Sequence, residues 1–264
     1  MKFDSYECMT FSRNGRILTV TLNRPDQRNA VNARMHCELS RVFTDAQRDA
    51  QSDVVVLTGN GSAFCAGGDI DWMQQSVDDR TEFEKMAREA KDIVYSQLDL
   101  EKPLICRLNG HATGLGASLA LLSDIIIASD EAKIGDPHVS VGLVAGDGGA
   151  LIWPQLVGYA KAKKFLLTGE LMTATEAERI GLVTDVVPRA ALDAAVDAIA
   201  QRLVSGATKA IRWSKIITNL PLRQLFHSYF DAGVAYECLS NATADHAEAV
   251  KAFRERRKPV FVGK

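Results

Sequence analysis

The sequence predicts an α/β fold, and three observations predict it. Short, β-branched apolar runs at residues 54–57, 104–108 and 125–128 are bounded by turn residues and separated by segments of helical period. Such fully apolar runs read as strands of a sheet covered on both faces. Two alternating segments near the N-terminus read as a hairpin, so the rhythm up to Asp130 is strand, strand, helix, repeated with variations. Beyond Pro188 the pattern becomes wholly helical. The expected organisation is a core over residues 1–188 and a helical region over 189–264.

The elements follow in order. Residues 7–12 and 16–22 alternate and close at Asn14-Gly15, a hairpin dipeptide. Residues 23–29 form a turn-rich loop. Asn32 then caps a helix that carries Met35, Leu39, Val42, Phe43 and Ala46 on one face. A helical segment over 81–100 separates the first two apolar strands. After Pro188, helices are expected near 189–205, 207–218, 222–239 and 245–256. In the third, Leu222, Leu225, Phe226, Tyr229, Gly233 and Tyr236 lie at helical spacing, forming either core or a subunit contact. There is no low-complexity linker and no fixed-period repeat.

Bulk properties exclude several classes of function. A formal charge of -2, with 24% charged and 47% hydrophobic residues, gives no general attraction to nucleic acid or to a membrane. Cys8, Cys37, Cys65, Cys106 and Cys238 are odd in number and scattered, which argues against a disulfide framework or a zinc site. The longest apolar stretch, 115–128, is too short to span a bilayer and carries Asp124. The N-terminal residues lack a secretory apolar run, so a reducing cytoplasm is expected. No metal-ligand spacing, dinucleotide fingerprint or phosphate-binding loop is present, and no metal or cofactor is expected.

Two glycine-rich turns carry the functional signal. The strand at 54–57 runs into Thr58-Gly-Asn-Gly-Ser-Ala-Phe-Cys-Ala-Gly-Gly-Asp69, and the strand at 104–108 into Asn109-Gly-His-Ala-Thr-Gly-Leu-Gly-Ala-Ser118. A turn of this kind, opening a helix, leaves backbone N–H groups unpaired. Two of them in similar contexts suggest a pair of donors converging on one oxygen, an oxyanion hole.

With Asn23-Arg-Pro-Asp-Gln-Arg-Asn-Ala30, Ser123-Asp124, Leu167-Thr-Gly169 and Gly181-Leu-Val-Thr-Asp-Val-Val-Pro188 in their order and spacing, the chain resembles the enoyl-CoA hydratase/isomerase (crotonase) family. The resemblance runs along nearly the whole chain. It implies a spiral of ββα units in two near-perpendicular sheets and a C-terminal helical region that drives trimerisation, with trimers pairing into hexamers. It implies an acyl-CoA substrate, coenzyme A being part of the substrate rather than a cofactor. The thioester oxygen would sit between the N–H groups of Gly68 and Leu115. The CoA would be gripped by Arg28 at its phosphates and by Ala66 at its adenine. Ala30, Gly67, Asp69, Ile70 and Gly114 would line the same site, and Phe253 and Arg256 would reach the site of a neighbouring subunit.

One departure stands out. Counting along the motifs, the positions of the family's two catalytic glutamates hold Ser118 and His138. Asp147, close in sequence, is the candidate general base, with helix capping as its other role. His138 titrates in the useful range, and Asp136 reads as a turn former before Pro137. Glu82 and Glu84 of the 81–100 helix are further acidic residues, either solvent-facing or reaching an acyl pocket whose shape depends on Trp72 and Met73; the sequence does not place them. Double-bond isomerisation through one carboxylate suits these residues better than two-glutamate hydration. The alternatives are a serine hydrolase using Ser118 with His138 as its base, and a non-catalytic acyl-CoA-binding or RNA-binding protein.

Overall fold

The computed structural model describes residues 3–79 and 81–264, and the side chains of Glu82 and Glu84 lie outside the described set. The chain begins with strands β1 (Met9–Asn14) and β2 (Ile17–Leu22), helix α1 (Ala33–Arg48), strands β3 (Val54–Gly59) and β4 (Ala63–Cys65), and helices α2 (Ile70–Asp78) and α3 (Thr81–Asp99). There follow β5 (Leu104–Leu108), β6 (His111–Thr113), α4 (Leu115–Leu121), β7 (Ile125–Ser129), β8 (Lys133–Gly135), α5 (Gly149–Thr168), β9 (Met172–Thr173), α6 (Ala174–Arg179) and β10 (Asp185–Val187). The C-terminal helices are α7 (Leu192–Val204), α8 (Thr208–Asn241) and α9 (Ala244–Arg254).

Two sheets organise these elements, in the order β1-β2-β3-β5-β7-β10 and β4-β6-β8-β9. In the first, β1 and β2 form the hairpin and the remaining neighbours run parallel. Asn14 pairs with Ile17, so the turn residues are Gly15 and Arg16, one place later than the dipeptide suggested; Gly15 takes the positive φ of +57°. The expected cap is present, with the Asn32 side chain accepting from the Met35 N–H. All five apolar residues predicted for the α1 face are fully buried. The apolar strands β3, β5 and β7 are covered on both sides, as parallel strands must be. The helical region expected from residue 189 opens with α7, which lies on the sheet and buries Leu192, Val196 and Ala200 against Ile17, Val54, Ile105 and Ile127.

The C-terminal helices differ from expectation in one respect. The segments expected as two helices, 207–218 and 222–239, form the single helix α8, with Pro221 inside it. An internal proline costs about 3 kcal/mol in lost backbone bonding and steric clash. Packing against the end of α3, its following turn and the residue ahead of β7 offsets this: Lys215 donates to the Lys102 carbonyl at 2.9 Å and pairs with Asp124 at 2.7 Å, Asn219 donates to the Leu98 carbonyl, and Arg223 pairs with Asp99 at 2.7 Å. The predicted stripe also divides. Phe226, Phe230 and Val234 form the buried face of α8, whereas Tyr229 and Tyr236 point outward.

Candidate active site

Glycines bring the two glycine-rich turns together. β4 and β6 lie side by side in the smaller sheet, pairing Ala63 with His111 and Cys65 with Ala112. A side chain on Gly116 would strike the Cys65 Cβ at 2.6 Å, and one on Gly67, where φ is +82°, would strike the Thr113 carbonyl at 2.9 Å. Only residues without a Cβ let the turns approach this closely. The result places Gly68 and Leu115 on the wall of one cavity. Leu115 is the first residue of α4, so its N–H has no intrahelical acceptor. Val31 bridges to the backbone on either side of Gly68 and leaves the Gly68 N–H without a partner among the described residues.

An outer groove of about 440 Å³ adjoins this point. Arg28, Ala30, Ala66, Gly67, Gly68, Asp69, Ile70, Gly114 and Phe253 line it. The loop bearing Arg28 is held rigidly, which matters because Arg28 and Asn29 both take positive φ (51° and 56°). The fully buried Asn29 donates from Nδ2 to the carbonyls of Asn60 and Ala63, both at 2.9 Å. Arg24 bonds the Ala30 carbonyl and pairs with Asp69 at 3.0 Å, tying the loop to the start of α2. Phe253 reaches the groove of its own chain, where a neighbouring subunit's site was expected. Arg256 does not line the groove. The α9 helix docks on α2, with Arg254 rather than Arg256 facing Asp71 and Gln74.

Behind the amides lies a smaller inner cavity of about 70 Å³. Val31, Trp72, Met73, Phe83, Met86, Ala87, Ala90, Leu143 and Val234 give it an apolar wall, so Trp72 and Met73 stand where the sequence placed them. Gly68, Met73 and His138 belong to both spaces and form the neck between them. A Cβ on Gly68 would strike the Met73 Cε at 2.6 Å, so the thioether end of Met73 covers this amide's α carbon.

The polar wall centres on His138. Its Nδ1 bonds Asp136, and its Nε2 faces the Asp147 carboxylate at 3.6 Å. Asp136 is fully buried, and its second oxygen has no hydrogen-bond donor among the described residues. The imidazolium is therefore the group that stabilises the buried Asp136 charge. Burial disfavours a charged His138, but the negative charges of Asp136 and Asp147 overcome it and hold the imidazole well above its ordinary pKa. Asp147 accepts from Ser118 Oγ at 3.0 Å and from the Gly149 N–H at 3.4 Å while facing the cavity; the N-cap of α5 is Gly148, so the capping role considered for Asp147 is not the one it takes. Burial is the main cause that raises its pKa; His138 opposes the rise and Asp136 adds to it. Asp136, His138 and Asp147 present their ligand-type atoms within 4.8 Å of one another. The imidazole stands between the two carboxylates rather than beside a shared centre, an arrangement suited to moving protons.

Two sequence expectations change here, and a third lies outside the described side chains. Asp136, read as a turn former, is the partner that orients His138. Ser118 is buried in α4 with its hydroxyl committed to Asp147, not to His138, so the nucleophile-and-base pair of a serine hydrolase is not assembled. Glu82 and Glu84 lie outside the residues whose side chains are described. One residue was missed: Glu237 of α8 lines the inner cavity beside His138 and Asp147. Burial, followed by the charge of Asp147, pushes its pKa up to about 8, against the opposing effect of His138. The signal was legible in principle, since Phe226, Phe230 and Val234 continue at helical spacing through 237 to the buried Asn241.

The chain matches known proteins along nearly its whole length. The family model described as "Enoyl-CoA hydratase/isomerase" matches residues 12–264. The chain is 34% identical over 261 residues to the 2,3-dehydroadipyl-CoA hydratase of Escherichia coli (strain K12), covering 96% of this chain and 98% of that one. It is 32% identical over 252 residues to the 1,2-epoxyphenylacetyl-CoA isomerase of the same organism, covering 94% and 95%. Among solved structures it resembles an enoyl-CoA hydratase/isomerase from Mycobacterium paratuberculosis with a TM-score of 0.90 and 33% identity, over 94% of this chain and 99% of that one.

Proposed function

The chain belongs to the enoyl-CoA hydratase/isomerase family, and from that premise we propose that it is an acyl-CoA enzyme working through a thioester enolate. The observation that carries this reading is the meeting of two unpartnered amides and a buried carboxylate on one apolar cavity. The acyl group occupies the inner cavity and the CoA the outer groove, with Arg28 toward the phosphates. The thioester oxygen lies between the N–H groups of Gly68 and Leu115. Asp147 removes a proton from C2, and the C–H electron pair moves to the thioester oxygen, where the two amides stabilise the charge. Return of that proton to C4 of an unsaturated acyl chain isomerises the double bond.

Ser118 and His138 stand, on this reading, where the family carries its glutamates. Ser118 keeps Asp147 in place and His138 balances its charge. The steps are proton transfers, and CoA enters as part of the substrate, so the chemistry calls for no separate cofactor. Among the described residues no helix is long and apolar enough to cross a membrane. A homotrimer or a dimer of trimers is the proposed assembly, supported by Trp213, Ile217, Leu220, Tyr229 and Tyr236, which lie exposed along α8.

Incubation of a panel of acyl-CoA thioesters in heavy water, read by mass spectrometry, tests the proposal. Deuterium uptake at the α carbon is expected for the thioesters that fit the cavity. Absence of uptake and of turnover across a panel of bound thioesters would overturn it.

A further inference from the structure

The two acid/base groups of a water-adding enzyme were expected to be missing from this chain, yet two carboxyl groups, Asp147 and Glu237, line the inner cavity beside His138. We propose that Glu237 is a catalytic residue that pairs with Asp147, so that the site adds water to, or removes it from, an acyl-CoA. The inference rests on the functional reading above and adds a catalytic residue on α8 to the same site.

Backbone packing sets the position of Glu237. Gly146, which precedes Asp147, lies directly against α8: a Cβ there would strike the Gly233 carbonyl and come within 2.8 Å of the Glu237 Cβ. Gly233 is one helical turn before Glu237. Two glycines thus let α8 touch the Asp147 loop, which presents Glu237 to the cavity that His138 and Asp147 share. No other polar group holds the Glu237 carboxyl, which has no hydrogen-bond or ion-pair partner among the described residues.

Counting charges assigns the roles. Asp136 and the imidazolium of His138 balance one another. Asp147 and Glu237 remain, and burial with their mutual repulsion disfavours two negative charges. His138 favours the anion at either group, but Ser118 and the Gly149 N–H donate to Asp147 alone, and no hydrogen-bond donor among the described residues reaches the Glu237 carboxyl. The shared proton therefore rests on Glu237.

That resting state suits loss of water from a 3-hydroxyacyl thioester. Asp147 takes the C2 proton and the electron pair passes to the thioester oxygen. The enolate then re-forms its carbonyl, making the C2–C3 double bond and breaking the C3–O bond. The leaving hydroxyl takes the Glu237 proton and departs as water. Hydration is the reverse, begun with the proton on Asp147 and Glu237 ionised. No oxidant, reductant or co-reactant other than water takes part.

The test compares wild type with Glu237→Gln and Glu237→Asp in two assays on thioesters that each protein is first shown to bind. One measures α-proton exchange of a saturated acyl-CoA in heavy water, which needs only Asp147. The other measures water addition to the matching 2-enoyl-CoA. Glu237→Gln is expected to keep exchange within about threefold while water addition falls roughly 100-fold, the scale of one acid/base group. Glu237→Asp should restore part of that loss. Equal water addition by wild type and Glu237→Gln overturns the proposal. Loss of both activities in parallel also overturns it, since Glu237 would then act through Asp147. A wild type that exchanges but hydrates no bound enoyl-CoA defeats this inference alone. A wild type that does neither defeats the functional reading beneath it.

Discussion

The two halves of the site are built from opposite materials. On the proposed mechanism, the half that would bind the electrophile consists of backbone: the amides of Gly68 and Leu115, brought together where Gly67 meets Thr113 and Gly116 meets Cys65. The half proposed to handle protons consists of side chains from distant stretches: Ser118 on α4, Asp136 and His138 after β8, Asp147 before α5 and Glu237 on α8. A backbone half tolerates a change of side chain, as leucine at 115 illustrates, provided the glycines that allow close approach remain. The side-chain half can change its chemistry one residue at a time, which is how one backbone scaffold can support several reactions.

The sharpest way to break this contrast is Asp147→Asn. If the side-chain half alone decides the reaction, kcat should fall about 1,000-fold, within the range for a lost general base, while acyl-CoA affinity stays nearly unchanged. Measured turnover within tenfold of wild type would remove Asp147 from the mechanism. Leu115→Pro tests the other half. Position 115 is the first of α4, where proline's fixed φ suits the helix, and the change removes the N–H together with a buried side chain. Loss of that donor should lower kcat about 100-fold beyond the effect of Leu115→Ala, which removes the side chain and keeps the N–H. An unaffected kcat would show that the oxygen is held elsewhere. The smallest effect belongs to the outer groove. Phe253→Ala should raise KM a few-fold, about 1 kcal/mol of lost apolar contact, without changing kcat. A KM that does not move would leave Phe253 outside the CoA site.

The same contrast explains what could be read from the sequence. Strand and helix periods along one stretch of chain are local, and so the hairpin, the α1 face and the strands β3, β5 and β7 were all legible. The glycine turns were legible too, because close backbone approach demands glycine itself. His138 and Asp147 sit nine residues apart and were found by position. Glu237 was not, because its place depends on α8 folding back over the Asp147 loop across 90 residues. The stripe read from the sequence joined the buried Phe226 to Tyr229 and Tyr236, which face outward, and omitted Phe230 and Val234, which continue the buried face toward Glu237. The uninterrupted α8 was hidden by Pro221, whose local penalty is outweighed by contacts to residues some 120 positions earlier.

The meeting of Gly146 with Gly233 bears on where this protein can tolerate sequence drift. Neither residue carries a functional group, and Gly233 lies on neither cavity, yet a single added methyl at 146 would push α8 outward and carry Glu237 with it. A survey of random variants should therefore find inactive yet folded proteins clustered at a pair of residues that no inspection of ligand contacts would select. Two related chains that keep every acid/base residue but differ at one of these glycines should be expected to differ in reaction, not merely in rate.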